Sequence, residues 1–206
     1  MMTRLWRKVS YNYREGGLGG LLRKWLWHLR EAIWSDSQWL IYEMMLGEGD
    51  LRVRPMVERR KLGFPDLVDL GYFKAQYFPE AMQRRMESGA VCHGFFVGDR
   101  LATIGWTTSG YLELDVSLRV SCAGSAGLFD FYTYKEFRSR GYYTNALLQL
   151  LAVTRDAGLD KAYIAVDPSN VASIKAIERA GFHRLRRITK RRRFGVSQVI
   201  KEEILR

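Results

Sequence analysis

The sequence predicts an α+β domain, a mixed β-sheet with helices on its faces, carrying an N-terminal amphipathic helical extension. Three observations support this. Short apolar runs of strand character come first, joined by tight turns. A strand–helix–strand–helix stretch follows, and two final runs read as a closing hairpin. The chain has 206 residues, 47% of them apolar, which is enough for one domain core plus an appendage and excludes a disordered chain.

The elements can be justified in order. "EGGLGG" at 15–20 is a glycine-dense hinge. After it, "LLRKWLWHLREAIW" at 21–34 sets Leu22, Trp25, Leu26, Leu29 and Ile33 on one helical stripe, with Arg23, Lys24, Arg30 and Glu31 off it. Two uses fit this helix. It can lie on an acidic membrane surface or grip a partner, or it can pack on its own domain or across a homodimer. Residues 1–37 are therefore an extension and 38–206 the domain.

"WLIYEMML" (39–46) and "LRVRP" (51–55) read as strands around "GEGD". "FPDLVDLGYF" (64–73) and "PEAMQRRMES" (79–88) read as short helices, the second with proline in its first turn. "AVCHGFFVGDRLATIGWTT" (90–108) is a hairpin turning at Gly98-Asp99, and "YLELDVSLRV" (111–120) alternates like a strand. "AGLFDFYTY" (126–134) is a strand, 141–157 a helix, "KAYIAVD" (161–167) a buried strand and 170–180 a helix. The run 182–205 reads as a hairpin turning near Phe194-Gly195.

A formal charge of +11 favours anionic ligands. The basic run "RLRRITKRRRF" (184–194) fits three roles: a screen for a nucleotide phosphate, a dock for an acidic macromolecule, or a hairpin edge protected by charge. No nucleic-acid fold signature accompanies it, so sequence-specific DNA or RNA recognition is not expected. Cys92 and Cys122 lack paired spacing, and His28, His93 and His183 are scattered, so no metal set is expected. Arg4, Arg7 and Lys8 are not followed by the apolar region of a secretory signal, and no run is long enough to span a bilayer. A cytoplasmic location is the expectation.

The centre of the chain is the informative part. In helix 141–157, Ala146, Leu150, Val153 and Ala157 share a face. Its N-terminus, in "EFRSRGYYTNALLQLL", sits against Arg138, Arg140 and Gly141. The first N–H groups of a helix have no internal partner, and the helix dipole makes that end electropositive. With two guanidinium groups beside it, such an end suits a phosphate or pyrophosphate. Taken alone, the stretch also fits a solvated basic turn. Further on, "AVDPSNVASIKAIERAGF" (165–182) is a strand end, a turn and a helix opened by Ser169 or Asn170. Gly181 closes that helix and Phe182 folds back as its apolar anchor.

In this order the two segments resemble the GNAT superfamily of acyl-CoA-dependent N-acyltransferases. Arg138 and Gly141 match the family's Arg/Gln-x-x-Gly-x-Gly/Ala loop, with Tyr143 an imperfect third member. Asn170, Ser173, Gly181 and Phe182 match its later helix. The resemblance implies acetyl-CoA as co-substrate and no metal. Its pyrophosphate would lie at Arg138, Ser139, Arg140, Gly141, Tyr142 and Tyr143. The strand before that loop is expected to splay from the next one, so that backbone groups of Phe131, Tyr132 and Thr133 hold the pantetheine arm and polarise the acetyl carbonyl. Asn170 and Ser173 would contact the arm or its bound water, and Asn170 also fits a plain N-cap.

Asp130 and Tyr132 are the catalytic candidates under the same resemblance. Asp130 would orient the amine or take its proton through water, and it fits a salt-bridged carboxylate equally well. Tyr132 either lines the cleft or is an ordinary strand aromatic. Glu113 and Asp115 fit an acceptor pocket or the outward face of a strand. Ile177 stands where many relatives carry a proton-donating tyrosine. A thiol of pKa about 8.5 can leave without one.

The implied activity is direct attack of a primary amine on acetyl-CoA within a ternary complex. The acceptor would be a small molecule, with an amino sugar among the candidates. A protein or peptide N-acyltransferase and a non-catalytic module binding acyl-CoA or a partner are the alternatives on this fold.

Overall fold

A run of residues with no room for polar side chains marks the middle of the sheet. Leu40, Ile41 and Tyr42 are all buried, as befits a strand covered on both faces. They belong to β1 (Trp34–Met45), the first strand in the chain. The others are β2 (Glu58–Leu62), β3 (Val91–Val97), β4 (Arg100–Asp115), β5 (Leu118–Thr133), β6 (Lys161–Val166), β7 (His183–Arg193) and β8 (Val196–Ile204). The helices are α1 (Phe64–Asp69), α2 (Pro79–Glu87), α3 (Tyr142–Asp156) and α4 (Val171–Arg179), with a 3-10 turn at Lys135–Phe137. This computed structural model describes residues 34–47, 51, 53, 56–69, 79–115, 118–194 and 196–205.

The strands form one eight-stranded sheet in the order β2-β3-β4-β5-β6-β1-β7-β8. It is mixed, as expected. β2 with β3, β3 with β4, β4 with β5 and β1 with β6 are antiparallel, whereas β5 and β6 are parallel. Two compact units divide the chain: 39–187 with 204–206, and 1–38 with 188–203.

In the larger unit, α3 and α4 cover one face. Leu147, Leu150 and Leu151 of α3 and Ile177 of α4 pack with Leu40, Tyr42, Leu128 and Ile164 of the sheet. Leu67 of α1 and Met82 of α2 are fully buried, as are Cys92, Trp106 and Phe129 of the sheet. In the smaller unit, Asp36 accepts hydrogen bonds from Arg193 at 2.9 Å and pairs with Arg191 at 3.4 Å. The basic hairpin therefore has part of its charge neutralised locally.

Most elements lie where the sequence places them, with three differences. Trp34, assigned to the helix 21–34, begins β1. An aromatic at the end of an apolar stripe suits either element, and sheet pairing decides it. The rest of that helix and the glycine hinge lie outside the described residues. In the run 51–55 the described residues Leu51 and Val53 belong to no strand, and the other three lie outside the described residues. It ends in Pro55, which has no N–H to donate to a ladder. The strand is instead the charged "ERRKL" of β2, a short edge that resists pairing with other chains. Finally, β4 takes in 111–115 and β5 takes in 118–120, and the two pair along this stretch.

His93 on β3 shows how a buried polar group is satisfied. Its Nδ1 accepts from Arg59 at 3.2 Å, which leaves Nε2–H to donate to Thr107 Oγ1 at 2.9 Å. Burial, helped by the charges of Arg59 and Lys61, lowers its pKa to about 4. The unfolded chain takes up this proton near pH 6.5, whereas the folded protein refuses it until about pH 4, so stability falls as pH drops through that window. The loss should approach about 3 kcal/mol, read from urea denaturation at pH 7 and pH 4. His93→Gln should remove that part of the pH dependence, and an unchanged profile in the variant would refute the assignment.

Candidate functional site

The site begins with a fault in the β4–β5 ladder. Ile104 pairs with Tyr132 but Trp106 pairs with Phe129, so Asp130 and Phe131 together stand against Gly105. This is a β-bulge, and its first residue, Asp130, has φ 53°. Asp is among the few residues that tolerate the left-handed region. The Phe131 ring lies across Gly105 so closely that any Cβ there would overlap it. A side chain at 105 would displace the ring.

The bulge ends the parallel pairing. Among the described residues β5 pairs with β6 only at Ala126–Ala162, Gly127–Tyr163 and Leu128–Ile164. β6 continues to Val166, held by β1, while 129–133 continue along β4. The expected splay is therefore present, and the β6-facing backbone edge of Phe131, Tyr132 and Thr133 is left outside that ladder.

The loop after β5 leads to α3. Ser139 and Gly141 both take positive φ, at 60° and 79°. Gly141 is the N-cap and contributes no capping side chain. The first helical bond runs from Asn145 N–H to the Gly141 carbonyl at 3.0 Å. The amides of Tyr142, Tyr143 and Thr144 therefore precede the helical ladder. A Cβ at Gly141 would have only Met56 Cε within reach, at 4.0 Å, so the backbone conformation rather than crowding selects glycine there. Arg138, Ser139 and Arg140 are exposed. Arg138 Nε donates to the Thr133 carbonyl at 3.0 Å, and its guanidinium lies 5.6 Å from the centre of the Tyr132 ring.

Tyr142 packs edge-on against Phe137 at 6.1 Å. Tyr143 points the other way. Its ring meets Phe131 edge-on at 5.4 Å, its hydroxyl hydrogen-bonds with Ser173, and burial pushes its pKa up. Asn170 is the N-cap of α4, accepting from Ser173 N–H at 3.2 Å. Thr133 Oγ1 meets Thr103 Oγ1 at 3.1 Å, and Tyr132 packs edge-on to Tyr134 at 5.2 Å. Ile177 is fully buried.

Asp130 faces away from this group. Its Oδ2 accepts from Arg85 Nη1 at 2.5 Å, and Arg85 Nε donates to Glu113 Oε1 at 2.6 Å. Arg119 closes the chain on Glu113 Oε2 at 3.2 Å. The Arg85 guanidinium lies 5.2 Å from the Phe129 ring centre and 5.5 Å from that of Trp106. Burial alone would drive its proton off, but the charges of Asp130 and Glu113 outweigh that and raise its pKa. Arg85 is absent from the candidates read from sequence. Its one signal is a charged residue on the buried stripe of α2, beside Ala81 and Met82. Asp115, the other acidic candidate near the acceptor, is half-buried at the far end of β4.

Among the described residues no group of His, Cys, Asp and Glu could hold a metal ion. No helix there is long and apolar enough to cross a membrane.

The profile of the family described as acetyltransferase (GNAT) domain matches residues 65–183. Comparison with curated proteins finds no match. Among solved structures, a GNAT-family protein from Novosphingobium aromaticivorans is 18% identical with TM-score 0.54, over 75% of this chain and 63% of its own. An acetyltransferase from the GNAT family of Colwellia psychrerythraea is 16% identical with TM-score 0.54, over 86% of this chain and 62% of its own. A fungal GCN5-related glucosamine N-acetyltransferase region, part of a multi-domain β-N-acetylglucosaminidase, is 11% identical with TM-score 0.53, over 84% of this chain and 23% of its own. The chain thus spans less than two thirds of these proteins' lengths, and the likeness is one of fold.

Removing Arg85 leaves two carboxylates without their shared partner. Arg85→Ala should lower the free energy of unfolding by about 3–5 kcal/mol at pH 7. Chemical denaturation measures this, and a loss below about 1 kcal/mol would show the pair to be no stronger than a solvated surface contact.

Proposed function

The chain belongs to the acetyltransferase (GNAT) family, and we propose on that basis that it transfers an acetyl group from acetyl-CoA to a primary amine of a small molecule. The observation that carries this reading is the parting of β5 from β6 directly before an α3 N-terminus whose cap is a left-handed glycine. A diphosphate fits there. The amides of Tyr142, Tyr143 and Thr144 offer donors without a charge to desolvate, and exposed Arg138 and Arg140 supply positive charge beside them. The Tyr143 side chain is turned toward Ser173, which leaves its amide at the helix end.

Bound acetyl-CoA supplies an activated acyl group. The amine nitrogen bonds to the carbonyl carbon, the C–S bond breaks, and CoA leaves as thiolate while the nitrogen loses a proton. The backbone edge of Phe131, Tyr132 and Thr133 supports the developing oxyanion, because amides fixed in a strand need no rearrangement as charge forms. Asp130, held by Arg85, is the acidic candidate for orienting the incoming amine through water. An alkyl ammonium has pKa near 10.4, so its proton leaves through water to reach the reactive amine. Tyr132 lines the route. Asn170 and Ser173, at the first turn of α4, border the pantetheine arm.

The fold shared with a region acting on glucosamine makes an amino sugar the first acceptor to try. Buried Ile177 has no proton to give, which favours a second reading, a non-catalytic acyl-CoA-binding module. Thiol release on mixing acetyl-CoA with glucosamine or another amine separates the two.

Gly141→Glu places a carboxylate at the helix N-terminus in a backbone conformation hostile to side chains. It should weaken CoA binding at least about a hundredfold, given the charge and the lost αL geometry. Isothermal titration of both proteins with CoA tests this, and an unchanged titration in the variant would remove the proposed diphosphate site.

A further inference from the structure

Asp130 stands where glycine would suit the backbone better, and what the carboxylate adds there bears on how β5 meets acyl-CoA, an inference that rests on the acyl-CoA reading above. Where the first residue of a bulge is left-handed it is ordinarily glycine, to which a φ of 53° is no strain. Aspartate is strained there, and its carboxylate is drawn to Arg85. Arg85 is buried against the start of the bulge. Its Nη1 donates to Asp130 at 2.5 Å, and its guanidinium lies 5.2 Å and 5.5 Å from the ring centres of Phe129 and Trp106, the cross-strand pair that precedes the bulge along β5. Its Nε donates to Glu113 at 2.6 Å, and Arg119 holds Glu113 in turn at 3.2 Å. The planar group is thereby fixed in one orientation, with Nη1 presented to Asp130. Beyond the bulge, Tyr134 N–H donates to the Ala102 carbonyl on β4 at 3.0 Å. Backbone groups alternate along a strand, so those of Tyr132 also face β4, and those of Phe131 and Thr133 face the opposite side. The Thr133 carbonyl is engaged there by Arg138.

We propose that Arg85 is a positioning residue for the pantetheine arm of acyl-CoA, acting through Asp130 to aim the Phe131 amide. The peptide joining Asp130 to Phe131 turns with the Asp130 backbone, so holding that backbone left-handed sets the direction of the Phe131 N–H. Without the ion pair the strand relaxes toward ordinary strand dihedrals, and that amide rotates away from the arm. The diphosphate is held elsewhere, at the α3 N-terminus. Loss of Arg85 therefore acts on the arm and spares the nucleotide end of the same ligand.

The experiment is isothermal titration of the full-length protein with CoA and with 3′-phospho-ADP, which is CoA without its pantetheine arm. The wild type should bind CoA more tightly than 3′-phospho-ADP. Arg85→Met should narrow that ratio at least about tenfold, the worth of a pair of backbone hydrogen bonds, and leave the 3′-phospho-ADP affinity within about twofold of wild type. Adding Asp130→Gly to Arg85→Met should restore most of the ratio, because glycine keeps the left-handed backbone without an ion pair. Circular dichroism melts show which variants are folded. Arg85→Lys keeps a charge but not the planar fork, and it replaces Arg85→Met, with the same expectations, should that variant not fold. An unchanged ratio in a folded Arg85 variant, an equal loss for both ligands, no rescue by Asp130→Gly, or a wild type that binds both ligands alike overturns the role of Arg85, while CoA binding to the wild type leaves the donor site standing. Absence of CoA binding to the wild type overturns both.

Discussion

A contact between one carboxylate and one guanidinium governs the course of β5. In a regular strand Phe129 and Phe131, two residues apart, would share a face. The extra residue at Asp130 sends them to opposite faces: Phe129 toward Arg85 and Trp106, and Phe131 toward Tyr143. Asp130 adopts a left-handed backbone that its own chemistry only tolerates, and the ion pair with Arg85 compensates for it. The same local twist ends the pairing with β6. The parting of β5 from β6 and the opposite placing of the two phenylalanine rings follow from that bulge.

Arginine suits the position for reasons lysine does not share. Its planar fork reaches Glu113 through Nε and Asp130 through Nη1 at once. Its faces also lie against two aromatic rings, which a compact, strongly hydrated ammonium would not do as well. Because Arg85 lies on α2, the ion pair ties that helix to the parted strand. Arg119 and Glu113 extend the alternation of charge outward to solvent, so the buried end of the chain is neutral in aggregate and its outer end hydrated.

The readable and unreadable parts of this molecule divide by the range of the interaction. The loop at 138–143 and the capped helix at 170–182 could be read from the sequence because helix ends are determined by a few adjacent residues, and the structure has a glycine N-cap at one and an asparagine N-cap at the other. The meeting of Phe131, Tyr143 and Ser173 was readable only as membership of one site, not as a contact. Arg85 was hard to find because its partners lie 28 and 45 positions away, and its place on the buried stripe of α2 beside Ala81 and Met82 is the one local mark that separates it from Arg84. Of the two meanings the sequence offers for Asp130, the salt-bridged carboxylate is present, and the orienting charge belongs to the proposed mechanism alone. The placing of β1 was equally hidden, since an apolar strand does not state which neighbours it will have.

That placing has a cost in time. β1 is the first described strand to leave the ribosome, yet it lies between β6 and β7, and its Glu43 waits for Tyr163, 120 positions later. At ordinary elongation speeds of about 5–20 residues per second, this is a delay of about 6–24 s. Throughout it, a strand with buried-type side chains has neither of the strands that flank it in the folded sheet. The central sheet of this protein therefore closes only once most of the polypeptide exists, and its nascent form depends on protection from self-association for longer than a chain whose early strands pair with each other.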